Sequence, residues 1–197
     1  MVKVRTVIVA MHRTGSTSLL KGFRAIFRTR YLGEPWNLRV HDEHKYKDPK
    51  TVIGHDLLKT LIMQLPPGET DIIKFYSDFV KHYDNVIILS RKNRKAIAES
   101  WGLAERTNNW NFSYYLEENH NLDIDLTPVD YYCDKLEELS EKLQIPITWY
   151  EDLYSADESV RLKQFLDWDI PFTDADIKIL LDLTHPKHRY RRDASMI

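Results

Sequence analysis

The chain has 197 residues, of which 43% are hydrophobic, and its 28 Lys and Arg residues nearly balance its 30 Asp and Glu residues. This length and apolar content fit one compact domain over residues 1–197. The near-neutral charge argues against a protein that binds nucleic acid. The single cysteine, Cys133, excludes a disulfide within the chain and a cysteine-based zinc cluster. No apolar run reaches the roughly 18 residues of a membrane-spanning helix, so we expect a cytoplasmic protein without stable membrane insertion.

Short runs rich in β-branched residues alternate with helical segments, which is the pattern of a parallel sheet covered by helices on both faces. The predicted strands cover residues 2–10, 51–54, 71–75, 85–90 and 147–150. The predicted helices cover residues 16–28, 55–65, 96–105, 128–143, 158–166 and 174–183. Residues 31–44 and 107–125 are expected to be irregular, and residues 185–197 to form a basic C-terminal tail. The predicted fold is therefore a single α/β domain with a central parallel sheet flanked by helices.

The first predicted strand runs directly into a tight turn and a helix. Gly15 permits the turn, and the backbone N–H groups that open the helix can hold an anion. Arg13 adds a positive charge, and hydroxyl donors follow at Ser16, Thr17 and Ser18. A Walker A loop would place its first Gly at Ala10 and its Lys at Ser16, so this strand, loop and helix are P-loop-like but lack the lysine.

A second basic turn follows the strand predicted over residues 85–90. The residues from Arg91 to Lys95 form this turn and precede another predicted helix. Ligands of open α/β sheets bind beyond the carboxyl ends of the strands, where the two turns are expected to be neighbours. We therefore expect two turns that favour anions to converge on one ligand.

Four separated stretches of the chain resemble, when taken together, one enzyme family. They are Arg13-Thr-Gly-Ser-Thr-Ser-Leu-Leu20, the strand at residues 86–90 with Arg91 and Ser100, Tyr150-Glu-Asp-Leu153 with Phe165-Leu-Asp-Trp168, and Gly33-Glu-Pro35. They resemble the sulfotransferases that use 3′-phosphoadenosine 5′-phosphosulfate (PAPS) as sulfuryl donor. The first stretch is similar to that family's 5′-phosphosulfate loop, the second to its 3′-phosphate motif, the third to its YEDL segment and the helix end after it, and the fourth to an acidic loop of several branches.

The resemblance covers most of the chain, from about Val7 to Trp168, and implies a donor site. The residues that it assigns to the donor are His12, Arg13, Thr14, Gly15, Ser16, Thr17, Ser18, Arg91, Arg94, Ser100, Arg191 and Arg192. The spacing from Arg91 to Ser100 is one residue longer than in many cytosolic members and nearer to that of bacterial branches. Arg94 therefore competes with Arg91 for the 3′-phosphate. The basic tail either clamps this phosphate, as in related enzymes, or is a flexible charged end.

The acceptor needs a base to take its proton. Cytosolic members carry a His in a K-x-H motif, and the corresponding pattern here, Lys74-Phe75-Tyr76, has Tyr instead. Glu34 is the first candidate, because its loop can return to the mouth of the phosphate site, where developing negative charge would raise its pKa. The alternatives are His55, His12 and His41. Lys74, at the end of a predicted strand, can donate to the bridging oxygen or to the sulfuryl group.

The sequence thus predicts an enzyme that moves a sulfuryl group from PAPS to a hydroxyl or amine of a small-molecule, carbohydrate or lipid acceptor. The product of the donor is adenosine 3′,5′-bisphosphate, and no metal is expected to be required. A P-loop-type nucleotide or small-molecule kinase stays open, although the P-loop Lys and a Walker B Asp after residues 85–90 are missing. A protein that binds PAPS or its product without catalysis also stays open. The acceptor and the oligomeric state do not follow from the sequence.

Overall fold

The protein is built around a parallel β-sheet. A computed structural model describes residues 4–37, 48–107 and 125–186. The strands in these ranges are β1 (Thr6–Ala10), β2 (Tyr31–Gly33), β3 (Leu57–Leu61), β4 (Asn85–Ser90) and β5 (Ile147–Trp149). They pair in parallel in the order β2-β3-β1-β4-β5.

Helices cover both faces of this sheet. In the described ranges they are α1 (Ser16–Phe27), α2 (Pro49–Ile53), α3 (Ile72–Phe79), α4 (Arg94–Thr107), α5 (Thr127–Leu143), α6 (Tyr150–Leu153), α7 (Glu158–Asp167) and α8 (Asp174–Leu183), with a 3-10 turn at Val80–His82. Side chains of α1, α6, α7 and α8 pack on one face, and those of α2, α3, α4 and α5 on the other. The predicted single α/β domain, with a parallel sheet flanked by helices, is confirmed. Among the described residues, no helix is both long and apolar enough to cross a lipid bilayer.

Strand β1 lies at the centre of the sheet, between β3 and β4. Its residues alternate between the two cores, with Val7 and Val9 in one and Ile8 and Ala10 in the other, and all four are 0% exposed. From β1 the chain passes through α1 to the β2 edge, whereas after β4 it continues towards β5. The strand order therefore switches between β1 and β4, and the crevice beyond their carboxyl ends is where open α/β sheets bind ligands.

Most predicted elements agree with the structure. Six predicted elements match the structure to within one residue at each end. They are α1 (predicted at 16–28), β4 (85–90), α5 (128–143), β5 (147–150), α7 (158–166) and α8 (174–183). The order of strand, turn and helix around Gly15 is confirmed as well. Whether this turn is a phosphate loop stays a prediction.

The segment between α1 and β4 is where the predictions are wrong. The strand expected at residues 51–54 is part of a helix, the helix expected at 55–65 contains β3, and the strand expected at 71–75 contains the start of α3. The leucines of β3 have helical spacing, but this strand is buried on both faces between β2 and β1, so its sequence shows no alternation. Asp71 caps α3 by accepting a hydrogen bond from the Lys74 N–H at 2.9 Å. The segment expected to be irregular begins with β2, and its residues 38–44 lie outside the described part.

Candidate functional site

The turn between β1 and α1, residues 11–15, has a closely defined shape. Arg13 and Gly15 both have left-handed backbone conformations, with φ of 61° and 76°. The Thr14 hydroxyl donates to the Met11 carbonyl at 2.8 Å, and the Met11 N–H donates to the Leu89 carbonyl of β4 at 3.1 Å. A left-handed conformation costs a non-glycine residue of the order of 1–3 kcal/mol, and such strain is concentrated at functional sites.

Gly15 is required by its conformation and by a neighbouring ring. The Tyr154 hydroxyl donates to the Gly15 carbonyl at 3.0 Å. A Cβ on Gly15 would lie 2.5–2.8 Å from atoms of the Tyr154 ring and hydroxyl, which is closer than real Cβ contacts. Gly15 is also the N-cap of α1 and supplies no side-chain hydrogen bond to it. An external anion is therefore a suitable partner for the first N–H groups of α1.

Contacts with α4 join this turn to the second half of the molecule. The Arg13 Nε donates to the Ser100 hydroxyl at 2.5 Å, across 87 positions of the sequence. The rings of His12 and Trp101 lie 5.3 Å apart. The structure thus brings together two residues that the resemblance assigns to opposite ends of one donor.

Acidic side chains of α6 hold the second turn, which follows β4. Glu151 accepts hydrogen bonds from the backbone N–H groups of Lys92 at 2.9 Å and Asn93 at 3.2 Å. The Lys92 ammonium lies 3.0 Å from both carboxylate oxygens of Asp152. The segment Tyr150–Leu153 is therefore part of the architecture that fixes this turn.

The two arginines that compete for a 3′-phosphate have different surroundings. Three carboxylates of α5 lie 2.8–3.2 Å from the Arg94 guanidinium, those of Asp130, Asp134 and Glu137. Burial lowers the pKa of Arg94, but hydrogen bonds to these carboxylates outweigh it and raise the pKa above its ordinary value. Arg91 lies 4.6 Å above the Tyr150 ring, and its Nε is 3.7 Å from a Glu151 oxygen. This buried Nε has no hydrogen-bond partner among the described residues, so Arg91 retains more capacity for a ligand than Arg94.

A buried lysine stands beside the first turn of α1. The Lys59 side chain, in the centre of β3, is 5% exposed and forms an ion pair with Glu34. Its ammonium also donates to the Thr17 hydroxyl at 3.1 Å. Glu34 follows β2 with φ of 51°, and its carboxylate accepts further hydrogen bonds from the amides of Asn37 at 2.6 Å and Gln64 at 3.2 Å. Glu34 thus lies close to the start of α1, where the sequence predicted it.

In the structure the pKa of Glu34 lies below its ordinary value. Burial of the carboxyl raises its pKa, but the charge of Lys59 and hydrogen bonds from Lys59, Asn37 and Gln64 outweigh burial and hold the pKa at about 2. The reason is that the neighbouring charge is a lysine rather than an anion. At neutral pH Glu34 is therefore an ionised carboxylate with a low proton affinity.

Two of the predicted catalytic residues lie away from this site. Lys74 is exposed in the first turn of α3 rather than at a strand end. His55 precedes β3 at the amino edge of the sheet, with its Nδ1 3.2 Å from the Val52 carbonyl. The five residues of β3 separate it from the carboxyl edge by roughly 16 Å, so His55 lies far from the turn at Gly15. Lys59 is the residue that the sequence analysis missed, although a lone charge between Leu57, Leu58 and Leu61 was a signal for it.

Some predicted residues lie outside the described part of the chain. These are His41, Arg191 and Arg192, together with residues 187–197 of the tail and residues 108–124 of the central segment. Their predictions are therefore untested.

Three separated elements contact the first turn and the start of α1. They contribute Lys59 from β3, Ser100 from α4 and Tyr154 after α6. Comparison with models of protein families and with curated proteins finds no family model and no curated protein that matches the chain.

Proposed function

We propose that this protein is a sulfotransferase that moves a sulfuryl group from PAPS to a hydroxyl or amine of a small-molecule, carbohydrate or lipid acceptor. The observation that carries this proposal is the contact between Arg13 and Ser100 at the switch point of the sheet. It joins the turn that resembles a 5′-phosphosulfate loop to the helix that resembles a 3′-phosphate motif. A nucleotide with one phosphate group at its 5′ position and another at its 3′ position is a ligand that can bind both this turn and this helix.

The donor is held by two groups of residues in this proposal. Arg13, the first N–H groups of α1 and the hydroxyls of Ser16 and Thr17 bind the 5′-phosphosulfate. Arg91 and Ser100 bind the 3′-phosphate. Arg94 is less suited to this role because three carboxylates already neutralise its guanidinium.

Sulfuryl transfer places specific demands on the site. The acceptor oxygen or nitrogen attacks sulfur, the bond from sulfur to the bridging phosphate oxygen breaks, and negative charge builds on that oxygen. A donor fixed near this oxygen lowers the barrier. Lys59 is the better candidate than Lys74, because its ammonium lies beside Thr17. The residue two positions after Lys59 is Leu61, which is 1% exposed and cannot replace the His of a K-x-H motif.

Glu34 is the base that we propose for the acceptor, with donor binding as the step that activates it. While Lys59 is its partner, Glu34 has a pKa of about 2 and is a weak base. The phosphosulfate brings negative charge to Lys59 and competes with Glu34 for it. The pKa of Glu34 then rises, because an anionic neighbour disfavours the ionised carboxylate.

Isothermal titration calorimetry with adenosine 3′,5′-bisphosphate, in buffer containing a chelator, tests the donor site. We expect binding without Mg²⁺ and with higher affinity than ATP. Failure to bind, or binding no tighter than that of ATP, contradicts the proposal. ATP binding that requires Mg²⁺ would instead favour a kinase. Tight binding without sulfate transfer from PAPS to any member of a panel of hydroxyl and amine acceptors would favour a non-catalytic binding protein.

Glu34→Gln tests the proposed base. Turnover should fall by about two orders of magnitude, as is typical for loss of a general base, without a loss of donor affinity, because the neutral Gln competes less with the donor for Lys59. Glu69→Gln is the matched control, because it makes the same change at an exposed residue. Unchanged turnover in Glu34→Gln would remove Glu34 from the mechanism.

A further inference from the structure

A cavity of about 590 Å³ lies at the edge of the sheet opposite the donor site. Its lining residues come from the end of α1, the segment between α1 and β2, the first residue of β2 and the residue before Asp56: Arg24, Arg28, Thr29, Arg30, Tyr31 and His55. Helix α1, with 12 residues, spans roughly 18 Å between Gly15 and this cavity. The cavity is therefore a separate site, and a ligand bound there does not reach the turn at Gly15.

The cavity carries a local excess of positive charge. Three of its lining residues are arginines, and among the described residues one carboxylate forms an ion pair with them, that of Asp56, 4.0 Å from the Arg30 Nε. The Asp56 carboxylate also accepts a hydrogen bond from the Thr29 hydroxyl at 2.7 Å. In the described part of the chain, neither Arg24 nor Arg28 has an ion pair with a carboxylate. Three guanidinium groups against one carboxylate leave a formal charge of about +2.

Contacts within the cavity wall orient two of these guanidinium groups. Arg24 lies 4.5 Å above the Tyr31 ring and donates to the Tyr31 hydroxyl at 3.0 Å. Arg30 donates to the Gly54 carbonyl at 2.9 Å. Each guanidinium has further N–H donors for a ligand. Arg24 lies in the last turn of α1, where the helix dipole favours a cation. Arg30 lies beyond the end of the helix, so the dipole does not account for a cation at that position.

We propose that this cavity binds the phosphate monoester group of a small ligand. The cavity is open, its three arginines are exposed to solvent, and arginines are the side chains best matched to phosphate oxygens. A phosphate monoester carries close to two negative charges, which balances the excess charge of the cavity. Thr29 and His55 supply further polar groups in the wall. This proposal does not depend on the proposed sulfotransferase function.

Nuclear magnetic resonance titration of the ¹⁵N-labelled protein tests the proposal. The probes are phenyl phosphate and phenyl sulfate, which have the same shape but about two and one negative charges at slightly alkaline pH. We expect saturable shifts of the backbone amides of residues 28–31 and of His55, with phenyl phosphate binding more tightly. Signals at Gly15 and in the first turn of α1 report any binding at the donor site separately.

The double variant Arg24→Gln, Arg28→Gly should lose at least about tenfold in affinity for phenyl phosphate, as expected when charge-assisted hydrogen bonds are removed. Glycine at position 28 suits the left-handed conformation there, where φ is 45°, and so preserves the end of α1. Arg106→Gln is the matched control, because Arg106 is the basic residue in the last turn of α4. Binding of adenosine 3′,5′-bisphosphate should be unchanged in both variants.

The proposal is contradicted if the shifts increase linearly without saturation, if both esters bind equally, or if Arg106→Gln loses as much affinity as the double variant. In these cases the arginines serve only as solvated cations near the end of α1. The spectra of the variants also show directly whether they are folded.

Discussion

The turn after β1 and the turn after β4 follow the same plan of strand, basic turn and helix, but their surroundings differ. In the first turn Arg13 donates to a hydroxyl, that of Ser100, and no N-cap side chain bonds to the start of α1. In the second turn Glu151 already occupies the backbone N–H groups, and carboxylates surround the Lys92 and Arg94 side chains.

This difference shows that the number of basic residues in a turn does not determine how well the turn can bind an anion. The second turn has more cations in sequence, yet acids of α5 and α6 neutralise two of its four, Lys92 and Arg94. A donor bound between the turns would therefore interact with them unequally. In our proposal the backbone of the first turn binds the donor directly, whereas the second turn and α4 bind it through the side chains of Arg91 and Ser100.

The largest expected effect concerns the shape of the first turn. Gly15→Ala should lower the free energy of unfolding by about 3 kcal/mol, because a left-handed alanine is strained and its Cβ collides with Tyr154. Chemical denaturation measures the loss. Gly68→Ala is the matched control, since φ there is 92° but no atom lies within 4 Å of the added Cβ. Its loss should be about 1–2 kcal/mol, from strain alone. Equal losses would show that Tyr154 does not restrict the turn.

Arginine substitutions compare the two turns as ligand sites. Arg13→Ala should weaken binding of adenosine 3′,5′-bisphosphate by about 1.5–3 kcal/mol, which is roughly 10- to 150-fold. Arg94→Ala should weaken it by less than about threefold, because its charge is already balanced by α5. Calorimetry at constant ionic strength measures both. A loss in Arg94→Ala as large as that in Arg13→Ala would assign the 3′-phosphate to Arg94 after all.

The pH dependence of stability tests the ion pair beside the first turn. The pKa of Glu34 is about 2 in the folded protein, against 4.5 for an ordinary glutamate. The pair therefore stabilises the fold fully above about pH 4.5, and its contribution declines as the pH falls towards 2, because the unfolded chain takes up the proton more readily. The difference in unfolding temperature between the wild type and Glu34→Gln should therefore become smaller as the pH falls across this range. A difference that does not vary with pH would contradict the assignment.

The smallest expected effect concerns the link between the two turns. Ser100→Ala removes the hydrogen-bond partner of the Arg13 Nε and a proposed donor to the 3′-phosphate. Affinity for adenosine 3′,5′-bisphosphate should fall by about 1 kcal/mol, which is roughly fivefold. Ser159→Ala, which removes a hydroxyl bonded to Asp157 at the exposed start of α7, is the control and should leave affinity unchanged. An unchanged affinity in Ser100→Ala would separate α4 from the donor site.

Local signals were sufficient for most of the fold. An apolar β-branched run ending at a glycine turn predicted β1 and α1, and Pro128 predicted the start of α5. The same reasoning failed at β3, where a strand with both faces buried has the composition of a helix. It failed again at Asp71, an N-cap whose following residues, Ile72 to Phe79, have helical spacing.

The candidate site was predicted only in part. The position of Glu34 near α1 follows from its place in the loop after that helix, but its low pKa depends on Lys59, 25 positions away in the sequence. The charge state of Arg94 depends likewise on acids of α5. The helix predicted over residues 55–65 gave no indication that His55 precedes β3 at the amino edge of the sheet.

The sequence by itself determined that a strand, a glycine turn and a helix form one unit around Gly15, because these signals act over a few neighbouring residues. Only the tertiary structure decided which side chains surround this unit. Lys59, Ser100 and Tyr154 reach it from distant parts of the chain, through the order of parallel strands and the packing of α4 and α6. Ion pairs then decide which charges are left for a ligand, and ion pairs between distant elements are not encoded in local spacing.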